Sequence, residues 1–225
     1  MRGDPGKRLT ILSKAEKLAL YGLPDFDDFQ RTELFAMTEA ERALALQRRG
    51  LTQQVYCLLQ LGYFKAKQTF FRFSLKDVPS EDVAFLLLRY FPGQALATRQ
   101  LAYSEFCAQR KAIASLFGYR LWSDDDLPVL LEKATLLART DVTAKFLLTE
   151  LMAFLNAKRI VRPGYTTLQT LISNALTAER LRLEQRIDVA LDDARGPHCK
   201  SFSFARTHCL SSRPSNRTPN TSAIA

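Results

Sequence analysis

Four times in this chain a hydroxyl residue stands three positions ahead of an acid or an amide: Ser13 before Glu16, Thr38 before Glu41, Ser123 before Asp126 and Thr166 before Gln169. This is the spacing of the capping box or a close variant of it. The first side chain accepts from the backbone N–H three residues on and the second reaches back, so two orphan donors of a helix start are satisfied together. A chain that writes helix starts this often, with period-two alternation nearly absent, is constrained to be all-α. Ser80, followed by Glu81 and Asp82, adds a cap and two acids for the positive end of another helix. Pro and Gly fall between these starts at intervals that match helix ends. The pattern predicts helices near residues 13–21, 27–35, 38–47, 51–68, 80–91, 98–117, 125–139, 143–158 and 166–191.

Pro79 is the strongest internal break, and Pro163-Gly164 marks a tight turn before the last long helix. The expected partition is a flexible N-terminus over 1–10, a first small helical subdomain over 11–78 and a second over 79–195. Because no flexible linker separates the halves, a single compact bundle is the alternative. With 225 residues, 47% of them apolar, the chain can bury a sizeable core. At Gly196-Pro197 the periodic apolar pattern gives way to Ser, Thr, Pro and Asn. Too little apolar material remains there to offset the entropy of ordering it, so residues 196–225 are expected to be disordered.

The longest apolar run within a helical segment, Val83 to Leu88, falls far short of the ~20 residues of a membrane span. The basic opening MRGDPGKRLT is followed by no apolar core or cleavage site of a secretory signal, so a cytoplasmic protein is expected. Cys57 and Cys107 lie in apolar helical patterns and Cys199 and Cys209 in the tail, which reads as reduced thiols rather than a disulfide framework.

The net charge of +9 is concentrated at the ends: residues 194–225 account for +5 and residues 1–10 for +2, leaving +2 for residues 11–193. Inside the body the charge is strongly patterned. Between Glu41 and Asp77 stand Arg42, Arg48, Arg49, Lys65, Lys67, Arg72 and Lys76 with no carboxylate among them, interleaved with glutamines and aromatics. That is the pattern of a surface for phosphate; a merely solvated basic face is the competing interpretation. The helix at 51–68 is apolar around most of its girth, with a narrow polar seam of Gln53, Gln60 and Lys67, and is expected at the centre of the first subdomain.

The helix at 98–117 has two unlike faces. Ala102, Phe106, Ile113, Leu116 and Phe117 fall together and are expected to face the core, while Gln100, Ser104, Lys111 and Ser115 lie opposite, with Arg110 at the border. Short hydrogen-bonding side chains with cations suit a helix laid against DNA, where amides read base edges and cations meet phosphate. Preceded by the helix at 80–91 and the turn Phe91-Pro92-Gly93, it is a candidate second helix of a helix-turn-helix.

Several chemistries are disfavoured. Asp124, Asp125 and Asp126, like Asp25, Asp27 and Asp28, are explained by capping and the helix dipole rather than by metal. The body has no histidine, which removes the commonest general base, and there is no phosphate-binding glycine motif. The tail pairs His198-Cys199 and His208-Cys209 match no usual zinc spacing. No metal, cofactor or catalytic residue is assigned.

The segments ILSKAEKLALYGLPDF (11–26), Gln47-Arg48-Arg49-Gly50, LQLGYFKAK (59–67) and QRKAIASLFGYR (109–120) together resemble the amino-terminal domain of the Tn-three family of replicative transposases, in order over residues 11 to about 195. The resemblance implies an all-helical region with helix-turn-helix-like subdomains that binds the terminal inverted repeats of a transposon during DNA transposition. The family's catalytic part is a ribonuclease-H-like domain near the carboxyl end. Nothing in residues 1–225 corresponds to it, so a non-enzymatic fragment is expected, with an unrelated tail such as a frameshift would produce. Charge and helix faces, not the resemblance, single out the DNA-facing residues. Arg48, Arg49, Lys65, Lys67 and Arg72 form one set; Arg99, Gln100, Ser104, Arg110, Lys111 and Arg120 form a second, with Gln100 and Ser104 as base readers; Lys158, Arg159 and Arg162 form a third. The alternative is a helical interaction module that pairs or competes with full-length transposase or with itself, or an inert product.

Overall fold

The computed structural model describes residues 9–96 and 101–195, with side chains placed as far as Asp192. The helices are α1 (Lys14–Tyr21), α2 (Asp28–Leu34), α3 (Glu39–Leu46), α4 (Leu51–Lys67), α5 (Ser80–Tyr90), α6 (Tyr103–Leu116), α7 (Leu127–Thr140), α8 (Ala144–Ala157) and α9 (Tyr165–Arg195). The fold class is all-α. Among the described residues no strand forms, and one isolated bridge joins Arg120 to Ile160.

The helix starts are those the side chains dictate. Ser13 and Glu16 close a capping box over the first turn of α1, with backbone-to-side-chain bonds of 3.2 and 2.9 Å. Thr38 and Glu41 do the same for α3, and Ser123 with Asp126 heads a short 3-10 turn before α7. A further box, Asp27 with Gln30, starts α2 with a carboxylate in the hydroxyl's place. Two expected caps are corrected. Tyr165 opens α9, so Thr166 sits inside its first turn, and Gln169 instead donates to the Leu9 carbonyl at 2.6 Å. Pro79, not Ser80, is the N-cap residue of α5, and the Ser80 hydroxyl turns to the Glu81 carboxylate at 3.2 Å.

α4 is the axis of the first core. Every residue from Val55 to Phe64 is buried, as expected of a helix apolar all round. Gln60 in its polar seam is buried too and donates to the Phe71 carbonyl. Around it pack residues of α2, α3, α5 and α6, including Leu86 and Ile113, together with Phe35 at the C-terminal end of α2. A second core is built from Leu12, α7, α8 and the first part of α9, with Leu20 and Tyr21 of α1 packed on it. The N-terminal segment reaches this second core because the Tyr165 hydroxyl accepts the backbone N–H of Ile11 and Leu12, at 3.4 Å each.

Val78 before Pro79 and Leu86 after it belong to one core. Proline is tolerated at a helix start, where its missing N–H costs nothing, so it opens α5 without dividing a domain. The division between cores falls between Leu121, packed on the first, and Trp122, packed on the second. The described residues as far as Arg182 form one compact unit; from Leu183 the described chain continues α9 as helix to Arg195.

α6 also departs from expectation. It begins at Tyr103, and residues 91–102 connect it to α5, far more than the about three to four residues of a helix-turn-helix turn. Its buried face is Gln109, Ile113 and Ala114, while Leu116 is 38% exposed and Ala102 lies outside the helix. Gln109 joins this face because its amide donates to the Gln53 carbonyl at 3.1 Å, tying α6 to α4, while Phe117 packs on the same core as expected. The tail, its two His-Cys pairs and its expected disorder lie outside the described residues.

α1 is pinned to α8 by the Glu16–Lys145 ion pair. Hydrogen bonding to Lys145 first, then to Ser13, holds the Glu16 carboxyl down at about 2. A depressed carboxyl contributes stability above its ordinary value of 4.5 that is lost as pH falls toward about 2. Lys145→Met is expected to return the Glu16 midpoint part-way toward 4.5, a carboxyl-carbon NMR titration being the measurement. An unmoved midpoint shows the Ser13 box alone responsible.

Candidate nucleic-acid interface

Two non-glycine residues occupy the left-handed backbone region, Gln68 at φ 52 and Arg159 at φ 53. Such residues cost about 1–2 kcal/mol each and persist only where their surroundings hold them. Both flank the same place. Gln68 caps the C-terminal end of α4 and its side-chain oxygen accepts from the Arg162 guanidinium at 3.3 Å. Arg159 follows α8 and leads into the bridge, where the Arg120 N–H donates to the Arg159 carbonyl and the Val161 N–H to the Arg120 carbonyl, both at 2.9 Å.

The bridge explains how one site touches both cores. Successive residues of an extended segment point to opposite faces. Ile160 enters the second core and Val161 the first, just as Leu121 and Trp122 divide between them. Where these segments pass α1, the chain after α4 and the start of α9, a cleft of about 720 Å³ opens.

Four cations, Lys17, Arg72, Arg110 and Arg162, line this cleft, and no carboxylate does. Three of them are held by aromatic faces rather than by acids. The Arg110 guanidinium carbon lies 5.5 Å from the Phe70 ring centre and 5.4 Å from that of Phe106. Arg72 lies 5.3 Å from the Tyr103 ring centre, and the Lys17 ammonium 4.9 Å from that of Tyr165. Such contacts leave the charge uncompensated and fix its direction. Phe70 is anchored in turn by stacking on Phe64 at 4.8 Å.

Three buried polar atoms of the cleft residues have no hydrogen-bond partner among the described residues: Arg110 Nε, Arg162 Nε and the Tyr21 hydroxyl. Burial pushes the Tyr21 phenol up to about 12 against the opposing pull of Arg162, so it stays protonated and can donate. Leaving such groups unpaired costs about 1–3 kcal/mol apiece. Lys67 supports the rim: its ammonium donates to the Gly22 carbonyl at 2.8 Å, and burial lowers its pKa.

Residues 11–175 match the family described as a domain of unknown function, DUF4158. The chain belongs to that family. No curated protein matches. The DUF4158 interval contains both cores and every cleft residue from Lys17 to Thr166, and it stops before the tail.

Within this DUF4158 domain the three basic sets read from the sequence are regrouped. Arg72, Arg110 and Arg162, one from each set, meet at the cleft. Lys65 lies away from the cleft: it ion-pairs with Glu41 at 2.8 Å and donates to the Ala36 carbonyl at 2.9 Å, so the acid that borders the basic run pairs with one of its members. Arg120 also lies outside the cleft lining and bonds Asp126 through both guanidinium ends, a pairing that holds the Asp126 carboxyl below its usual range. Arg48 is half-buried against the Leu44 carbonyl at 3.4 Å. Arg49, Ser104, Lys111, Lys158 and Arg159 are exposed. Arg99 and Gln100 lie outside the described residues.

Lys17, Tyr21, Trp122 and Tyr165 are cleft residues that no sequence pattern singles out. The interleaving of Lys67, Phe70, Phe71 and Arg72 is the one local signal; the others arrive only through tertiary packing. Cys57 is buried, which pushes its thiol up to about 12 and leaves it inert. Among the described residues no group of His, Cys, Asp or Glu could hold a metal, and no helix is long and apolar enough to cross a membrane.

Proposed function

We propose that this DUF4158 domain binds double-stranded DNA, the terminal inverted repeats of a transposon, as the amino-terminal part of a Tn-three family transposase, and carries no strand-cleavage chemistry itself. The observation that carries the reading is the cleft with four cations and no carboxylate. A site whose charges rest on aromatic rings is made for an external polyanion, since no internal acid competes for them. The family is associated with Tn-three family transposases, which supports the same reading.

Binding is then salt-dependent, and for every phosphate that is no longer neutralised the slope of log affinity against log salt becomes shallower by ~0.9. Lys17 and Arg72 are exposed and belong to the cleft. Lys17→Gln/Arg72→Gln is expected to flatten the slope by about 2 on a blunt inverted-repeat duplex, read from gel shifts over a salt series. A slope equal to that of the unaltered protein overturns the role given to these cations.

A second reading has its own observation. Leu183, Ile187 and Leu191 recur at helical spacing on α9 and are 40%, 57% and 52% exposed. An interaction module that pairs with full-length transposase or with itself would use such a stripe. It requires no preference for an inverted repeat over a scrambled duplex, which the same gel shifts measure.

A further inference from the structure

Resting on the DNA-binding reading above, we propose that the cleft takes a single unpaired nucleotide of the bound DNA, its base stacked on Trp122 and its phosphate held between Arg110 and Arg162. An intact duplex keeps its bases in the stack and offers phosphates from a convex surface. A concave recess of about 720 Å³ lined in part by aromatic rings suits a nucleotide taken out of the stack. That volume lies within the ~300–1,000 Å³ of sites that enclose small ligands.

Three features select this ligand. The Nε atoms of Arg110 and Arg162 and the Tyr21 hydroxyl are buried donors with no partner among the described residues, which an acceptor such as a phosphate oxygen would satisfy. The two guanidiniums are set beforehand, one against Phe70 and Phe106 and the other by Gln68, so little freedom is lost on binding. Trp122 is half-buried on the cleft wall and engages in no ring contact, cation contact or hydrogen bond among the described residues. A half-buried indole with no ring or cation contact, lining the same cleft as two arginines, is a combination that suits a base with its phosphate.

Trp122 is the only tryptophan of the chain, so its fluorescence reports this cleft alone. The full chain is titrated with three probes: a blunt inverted-repeat duplex, the same duplex with a two-nucleotide single-stranded end, and free deoxyadenosine monophosphate. The overhang duplex is expected to bind about tenfold more tightly than the blunt one, one stacked base contributing on that order, and to quench the indole. Arg162→Gln and, separately, Arg110→Gln are expected to abolish the preference and the quenching. Trp122→Leu is expected to abolish the preference in anisotropy of labelled DNA, and circular dichroism identifies any variant that has unfolded.

Equal affinity for blunt and overhang duplexes without quenching overturns the cleft assignment and leaves duplex binding standing. Binding of neither duplex overturns both. Quenching by the free nucleotide with the affinity of the overhang duplex makes the recess a small-molecule site, which also overturns the assignment.

Discussion

Asp82→Ala is expected to destabilise the domain by about 3–5 kcal/mol, shifting the urea midpoint with little change in slope. Asp82 is fully buried, and its two oxygens are shared between Arg31 Nε at 2.9 Å and the Tyr63 hydroxyl at 3.0 Å. Arg31 is only 8% exposed and spends its remaining donors on Asp28 at 2.6 Å and the Phe26 carbonyl at 2.7 Å. One carboxylate thus joins α2, α4 and α5. Burial pushes the Asp82 carboxyl above the ordinary carboxylate range, and hydrogen bonds from Arg31 and Tyr63 pull it back. Removing it leaves a buried guanidinium without its main counter-charge, which is the costly event. Arg31→Met/Asp82→Leu/Tyr63→Phe, which removes every buried side chain of the network and leaves only the exposed Asp28, is expected to recover most of the loss. A triple variant as unstable as Asp82→Ala shows that packing around Asp82, not charge, sets the cost.

This network marks where the sequence stops being legible. The capping residues Ser13 and Thr38 act on neighbours three positions away, so the helix starts are visible in the string of residues. The burial of α4 is visible too, because apolar residues wrap it. Asp82 reads as a first-turn acid complementing the helix dipole, and nothing local reveals Arg31, 51 residues away, as its partner. The same holds for charge. Lys65 and Arg72 look alike in sequence, yet one faces Glu41 across 24 residues and the other rests on Tyr103. A basic run states how many cations exist; tertiary pairing decides which of them remain free.

The cleft escapes the sequence for a related reason. Two of its lining residues, Trp122 and Val161, come from the two-residue segments Leu121-Trp122 and Ile160-Val161, whose alternation is too short to register as a strand pattern. Pro79 stands out because proline is locally conspicuous. The true seam between cores is conspicuous only in three dimensions, as one bridge between Arg120 and Ile160. That seam is also where strained backbone and unpaired donors collect, as sites held for a ligand tend to show.

Phe35→Ala is expected to cost about 3–5 kcal/mol, and its partner in the effect is a glycine. Phe35 is fully buried, edge-on to Phe26 at 5.5 Å and tilted against Tyr63 at 6.2 Å. Its ring lies against the backbone of Gly62 in α4, where an added Cβ would come within 2.3 Å of the ring. Gly62 therefore buys the close approach of α2 and α4 with helix propensity. Alanine there would gain up to about 1 kcal/mol on an exposed helix, but here the collision reverses the sign, and Gly62→Ala is expected to cost about 1–3 kcal/mol. The two losses should not add. With the ring gone, the new methyl enters vacated space, so Phe35→Ala/Gly62→Ala is expected to be no less stable than Phe35→Ala alone, a coupling of at least the Gly62 cost. Strict additivity in denaturant melts refutes the contact. Because α4 carries Gln68 at its end, and Gln68 holds Arg162, the Gly62 variant is also expected to loosen the cleft and broaden the Trp122 emission before the domain unfolds.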